Sequence, residues 1–372
     1  AAKEAIAHLQ NGIELLTDVE DQTQRRNFEL DLRMSLGGVY IISHGFPHPI
    51  VKETFDLARD IAQDLEVSPK LALILVGLLN YYFNTEDYKS FDELSEHMES
   101  FSDDPEHGYW FKLYLSHFNA GTLCRGDINQ SLRHFSRTME MFDPSRPFRW
   151  ELTPSGYLPY ATKGWWMLGL QIGGYPDQAR KLSIEQLTYK DREYQDSTSL
   201  YHVYTFPALY ALFARDWSYA QEILEHYLPL TRSFGDPIFT LTAEVYFNIC
   251  RFYQGDSEAF EQAVRLVNYC FDIGFRAFAV TMSAFIAEGY LTYGNPEASL
   301  KWIDKILAHV KQTGTQIQTS ELNRIKGRVF QALGSKDDKV EQHFSKAHGI
   351  AKNQGARMFE LRAAIDLARL KN

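Results

Sequence analysis

Cysteine is scarce, and long apolar runs are missing. The three cysteines, Cys124, Cys250 and Cys270, are far apart and odd in number, so their spacing supports neither a disulfide framework nor a zinc site. Such usage suits a reducing cytoplasm. The longest apolar run, LALILVGLL at 71–79, is too short to cross a bilayer, and no signal peptide opens the chain. No basic run offsets the net charge of −10, which argues against a nucleic-acid surface and assigns the acidic excess to solubility. Strand signals are nearly absent.

Chemical signatures are missing too. There is no G-x-x-x-x-G-K-[ST] phosphate loop, no H-E-x-x-H, no G-x-S-x-G and no G-x-G-x-x-G. His44 and His48 flank a turn without an evident third ligand, so that segment reads as a helix connection. Acid pairs such as Asp103-Asp104 and Asp337-Asp338 stand at expected helix starts, where carboxylates satisfy free N–H groups and the helix dipole. No nucleophile is matched with a base. The expectation is a protein without catalysis, cofactor or metal.

What is there is a folded, repetitive chain. Hydrophobic residues make up 45% and aromatics 14% of 372 residues, ample for a core. Turns rich in Gly, Asp, Asn and Pro recur: measured from Gly45 through Asp87, Asp127, Asp177, Asp216, Asp256 and Asn295 to Asp337, the steps are 42, 40, 50, 39, 40, 39 and 42. Each period holds two helical segments. SYAQEILEHYLPL (218–230), EAFEQAVRLVNYCF (258–271) and EASLKWIDKILAHV (297–310) place apolar residues three or four apart. Paired helices at a fixed period specify an all-α, tetratricopeptide-like α-solenoid, expected as a right-handed superhelix of about eight helix pairs in one domain, 1–372. Residues 1–17 should form an N-terminal capping helix. Residues 357–372 should form the C-terminal one, turning Arg362, Asp366 and Arg369 towards water.

Two segments carry a family likeness. ELNRIKGRVFQALG (321–334) and EQHFSKAHGIAKNQGARMFELRAAIDLARL (341–370) resemble the C-terminus of a large bacterial family. AIAHLQNGIELL (5–16) and GGYPDQAR (173–180) resemble its first helix and central turn. In that family a tetratricopeptide region follows a nucleotide-binding signalling ATPase, often fused to a class III adenylate/guanylate cyclase or a winged-helix DNA-binding domain. The resemblance implies a sensor or scaffold region of a multidomain regulator. A start at Ala1-Ala2-Lys3 without methionine fits a piece of such a longer protein.

Two stretches are candidates for binding. The step of 50 residues contains Pro144, Pro147, Pro154 and Pro159, which forbid a continuous helix, so an inserted loop is expected at 143–160. It carries Arg146, Arg149, Trp150 and Tyr160 and leads to Trp165; arginines with aromatics suit an interaction site. The second is the concave groove, which the first helix of each pair should line. Unusual polar residues on those helices are His117, Asn119, His202, Thr205, Glu244, Asn248 and Glu288. The first functional reading is a regulatory module that binds a peptide, small molecule or partner protein in the groove and acts on an attached effector domain. The alternative is a passive scaffold or a self-association module that forms a homo-oligomer.

Overall fold

The computed structural model describes residues 2–63, 69–145, 158–191 and 197–371. Among these residues every regular element is helical. After α1 (Ala2–Leu15) come eight pairs: α2 (Gln22–His44) with α3 (Pro49–Gln63), α4 (Pro69–Thr85) with α5 (Tyr88–Ser100), α6 (Gly108–Asn119) with α7 (Ile128–Met141), and α8 (Leu158–Gly173) with α9 (Pro176–Leu187). Then follow α10 (Ser197–Ala214) with α11 (Trp217–Phe234), α12 (Pro237–Tyr253) with α13 (Ser257–Asp272), α14 (Arg276–Thr292) with α15 (Pro296–Thr313), and α16 (Thr319–Ala332) with α17 (Asp337–Gln354). The last described helix, α18 (Arg357–Lys371), packs on α17 and α16. Each helix packs on its neighbour in sequence, and first helices of successive pairs also touch, as α8 with α10 and α14 with α16. The molecule is a tetratricopeptide-like α-solenoid.

Five of the eight marks of the sequence period are N-caps. Asp87, Asp127, Asp216, Asp256 and Asn295 each accept a hydrogen bond from the backbone N–H three residues on, at 3.1, 2.9, 3.2, 3.0 and 3.0 Å. One orphan donor per second helix is thereby satisfied. The residue before each cap turns the chain with a positive φ. Gly126, Gly255 and Gly294 do so without steric cost, whereas Glu86 (φ 60) and Arg215 (φ 61) do so against it. Pairs interlock through aromatic knobs. A Cβ built on Gly37 or Gly77 would come within 2.7 or 2.6 Å of the Phe55 ring, so only glycine admits that ring between α2 and α4.

Helices also meet across the concave side. Helix α2 packs on α12, α4 on α14 and α8 on α18, each ten helices further along, so first helices meet across the superhelix axis. Backbone N–H groups of Gln316 and Ile317 donate to the Cys124 carbonyl at 2.7 and 3.0 Å, and Tyr88 Oη meets Thr315 Oγ1 at 2.8 Å. At Gly45 (φ 91) an added Cβ would stand 2.2 Å from Ile238 Cγ1. The expected concave groove is narrowed by these contacts, and the physical reason is the aromatic and small content of the inner helices. A helix that is apolar all round must be covered all round; every residue from Ala277 to Gly289 of α14 is buried.

Two boundaries also differ from expectation. Leu158, Pro159 and Tyr160 open α8 rather than closing the inserted loop, because proline is tolerated in a first helical turn. In α18 the buried side chains are Phe359 and Ala363, while Leu361 (62% exposed) and Ile365 (41%) face outwards. Arg362 and Asp366 retain only 22% and 13% of their side-chain exposure and turn inwards, opposite to the sequence expectation.

Candidate functional site

Where the two halves of the superhelix meet they leave an axial chamber with two lobes. One lobe has a volume of about 80 Å³ and the other about 50 Å³, and Phe83, Asn84, Trp165, Tyr201, Phe206 and Phe275 line both. A water needs roughly 10–15 Å³ on this scale, so the lobes have room for several waters or a small molecule. Helical spacing explains the lining. Tyr201, His202, Thr205, Phe206 and Leu209 share one face of α10; Asn80, Phe83 and Asn84 share one of α4; Ala161 and Trp165 lie one turn apart on α8.

The walls are aromatic. Trp165 meets Phe83 edge-on at 5.8 Å and Phe206 at 5.0 Å, and Phe206 stacks on the His202 ring at 5.6 Å with 8° between planes. Tyr201 stacks on Phe239 at 4.2 Å, and Phe239 in turn leans on Phe46 from the turn after α2. These contacts fix ring orientations before anything binds.

The polar groups are few and uncharged. His117 Nδ1 hydrogen-bonds Thr162 Oγ1 at 2.9 Å, and burial holds its imidazole down at about 4. Burial, with His117 nearby, holds His202 at about 3. Both rings are therefore neutral near pH 7, each offering one donor and one acceptor. His202 Nδ1 is buried without a well-formed hydrogen bond, with the Thr198 backbone beside its ring. Asn84 Nδ2 donates to the Asn80 carbonyl at 2.8 Å, which leaves its Oδ1 as an acceptor on the chamber wall. Thr205 lines the second lobe and donates its hydroxyl proton to the Tyr201 carbonyl.

The contact of Thr162 with His117 does not make a nucleophile. Thr162 is fully buried, and an imidazole held near 4 is a weak base at neutral pH. Cys124 lines the second lobe, but burial pushes its thiol up to about 12; the same holds for Cys250 and Cys270. The His44 and His48 rings lie 4.9 Å apart, and among the described residues no three metal-ligating side chains converge.

Glu288 belongs to a second centre. It accepts from Arg215 Nη2 at 2.6 Å, Tyr253 Oη at 2.6 Å and Arg328 Nη1 at 3.0 Å. Arg324 pairs with Glu321 through Nε and Nη2 at 3.1 and 3.0 Å, and with Asp366 at 2.7 Å. Arg362 reaches Glu321 at 3.3 Å and donates to the Phe213 carbonyl at 2.7 Å. Burial alone would raise the Glu288 carboxyl, but the Arg215 and Arg324 guanidiniums outweigh it and hold the group at about 2. Glu321 is lowered by the same contest between burial and the charges of Arg324 and Arg362. The adjoining cavity measures only about 10 Å³, so this centre is a clasp joining α10, α14, α16 and α18.

The remaining expected residues are scattered. Tyr160 stacks on Tyr189 at 5.0 Å, away from both lobes. Asn119 is half-buried at the end of α6 and lines neither lobe. Glu244 pairs with Arg232 at 3.0 Å, and Asn248 Nδ2 donates back to the Glu244 carbonyl at 2.8 Å. Arg146, Arg149 and Trp150 lie outside the described residues. The structure thus brings together His117, Trp165, His202 and Thr205, and it adds Asn84, Phe206 and Phe275. Two asparagines in the otherwise apolar stretch LALILVGLLNYYFN were a visible signal for the first of these.

Fold and chamber define an all-α tetratricopeptide-like solenoid with an aromatic chamber between its two halves. No protein-family model matches the chain, and no curated protein sequence matches it. Among solved structures it is similar to a Rap protein complexed with Competence and Sporulation Factor, with a TM-score of 0.56 and 11% identity over 92% of this chain and 99% of that one. It is also similar to a human IFIT1 dimer with m7Gppp-AAAA, with a TM-score of 0.45 and 14% identity over 98% of this chain and 85% of that one.

Proposed function

We propose that the chain is a non-catalytic sensor module that binds a ligand in the axial chamber and regulates an attached effector domain. The observation that carries this reading is the chamber itself: preset aromatic walls with a few convergent polar groups, lying between two halves of one superhelix. A packed core would fill such a space with side chains. That a Rap protein of this fold was crystallised with a bound factor supports the fold as a receptor. The resemblance of residues 321–370 to the tail of signalling ATPases supports an effector of that kind, in a bacterial cytoplasm, as the output.

Coupling follows from position. The chamber is walled by α4, α6, α8 and α10 on one side and by Phe275 and α14 on the other. The clasp around Glu288 joins α14 to α10 and α18. A ligand that fits the closed arrangement better than an opened one shifts the balance between them.

Native mass spectrometry of the purified chain, before and after denaturing extraction, tests this. Gly121 lines the first lobe with its nearest neighbour, the Phe83 ring, 3.3 Å from an added Cβ, so Gly121→Leu puts a side chain into the chamber. A bound mass carried by the wild-type chain and lost from Gly121→Leu supports the reading. A mass retained equally by both places the ligand elsewhere.

A further inference from the structure

Resting on the reading of the chamber as a ligand site, we infer that its ligand is a small, uncharged, planar aromatic or heteroaromatic molecule bearing an amide-like pair of hydrogen-bonding groups.

The first ground is charge. Among the described residues lining either lobe there is no Asp, Glu, Lys or Arg. Beyond the lining, Glu86 hydrogen-bonds His309, and the Asp236 carboxyl that bears on Tyr201 is lifted to about 7 by burial, so neither supplies a lining charge. An ion entering the chamber would lose its hydration and find no countercharge, which is among the costliest steps in binding. The two imidazoles give no help to an anion, since burial keeps both unprotonated at neutral pH.

The second ground is shape. Trp165, Phe206 and the His202 ring form a continuous aromatic row, with neighbouring centroids 5.0 and 5.6 Å apart. Phe83 closes one end of that row and Tyr201 lines the same chamber. Flat rings favour a flat guest, by stacking and edge contacts.

The third ground is the set of open polar atoms. His117 uses Nδ1 on Thr162 and makes no hydrogen bond through Nε2. His202 Nδ1 makes no well-formed hydrogen bond, with only the Thr198 backbone beside its ring, and Asn84, whose Nδ2 is used on the Asn80 carbonyl, lines both lobes. Polar atoms that face the chamber give up water to a guest, so a guest that pairs them is selected over one that does not. A neutral imidazole can donate or accept, and a carboxamide oxygen accepts. The matching guest carries one N–H donor and one carbonyl or ring-nitrogen acceptor.

The test is a matched set of probes added to the full chain: benzamide, benzoate and benzylammonium, followed by saturation-transfer NMR and calorimetry at pH 7.5. The expected result is saturable binding of benzamide, at least tenfold tighter than either ion, lost in Gly121→Leu and weakened at least fivefold in Trp165→Ala. Circular dichroism and the melting profile show whether each variant is folded. If benzoate or benzylammonium binds as tightly as benzamide, in a manner abolished by Gly121→Leu, the chamber stands as a site and the inference about ligand class is overturned. If none of the three shows saturable binding, or if Gly121→Leu binds them unchanged, the reading of the chamber as a site falls as well.

Discussion

Arg215 reaches the buried carboxylate of Glu288 at 2.6 Å from a backbone position, φ 61, that Gly126, Gly255 and Gly294 occupy in other turns. Glu86, φ 60, is the other non-glycine residue in this set, and it too bonds to a distant helix, through His309 of α15. Both positions accept left-handed strain, of order 1–2 kcal/mol for a residue with a Cβ, and each side chain reaches a partner on a distant helix from it.

Arg215→Gly should therefore relieve strain yet lose the pair. With Tyr253, Arg324 and Arg328 still around Glu288, the expected net cost is about 2 kcal/mol. Arg215→Ala should cost about 1 kcal/mol more than Arg215→Gly, because alanine keeps the strain and loses the pair. Urea denaturation of the three proteins measures both differences. A glycine variant at least as stable as the wild type would contradict the role given to the pair.

Gly45→Ala should be severely destabilising, by about 3 kcal/mol or more, because it adds backbone strain to an overlap with Ile238. Combining it with Ile238→Ala should remove the overlap and leave the strain. The double variant is then expected to cost less than the two single changes together, a non-additivity that a double-mutant cycle reads directly. Simple additivity would mean that these residues do not meet across the axis.

Acid and base should both lower stability, each through a different group. His117 and His202 are held at about 4 and about 3, below the ordinary 6.5, so their contribution is present above pH 6.5 and is lost as pH falls through the folded values. Asp236 behaves oppositely. Burial lifts its carboxyl from 3.8 to about 7, so the folded chain keeps a proton that the unfolded chain releases, and stability is lost as pH rises through that window. Asp236→Asn keeps an N-cap for α12 without the charge. Relative to wild type, Asp236→Asn should gain roughly 2 kcal/mol more at pH 8 than at pH 5. A pH-independent difference between the two proteins would contradict the burial assigned to Asp236.

The register of α18 gives a further check. Leu361→Glu with Ile365→Glu should change stability by no more than about 0.5 kcal/mol, whereas Phe359→Ala should cost about 3–5 kcal/mol. Thermal melts of the two proteins decide it.

That helix also shows where the sequence stops being legible. The solenoid and its eight pairs could be read because their signals are local: a cap such as Asp256 and a turn residue such as Gly255 lie side by side in the chain. The face of α18 could not, because hydrophobicity alone nominates Leu361 and Ile365. Arg362 is drawn inwards by Glu321, and Asp366 by Arg324, partners that belong to an earlier helix. For the same reason His117, Trp165 and His202 stood out as unusual residues on inner helices. Their convergence with Asn84 and Phe275 depends on α4 meeting α14, a pairing that no local pattern records.

The central claim is that ligands bind inside the superhelix. Hydrogen–deuterium exchange of the full chain with and without saturating benzamide tests it most directly, because it locates the effect along the chain. Slowed exchange should be confined to the segments walling the chamber: 80–85 of α4, 161–170 of α8, 198–209 of α10 and 275–281 at the start of α14. Slowed exchange on outer helices such as α5 or α13, with those four segments unchanged at saturation, would contradict it.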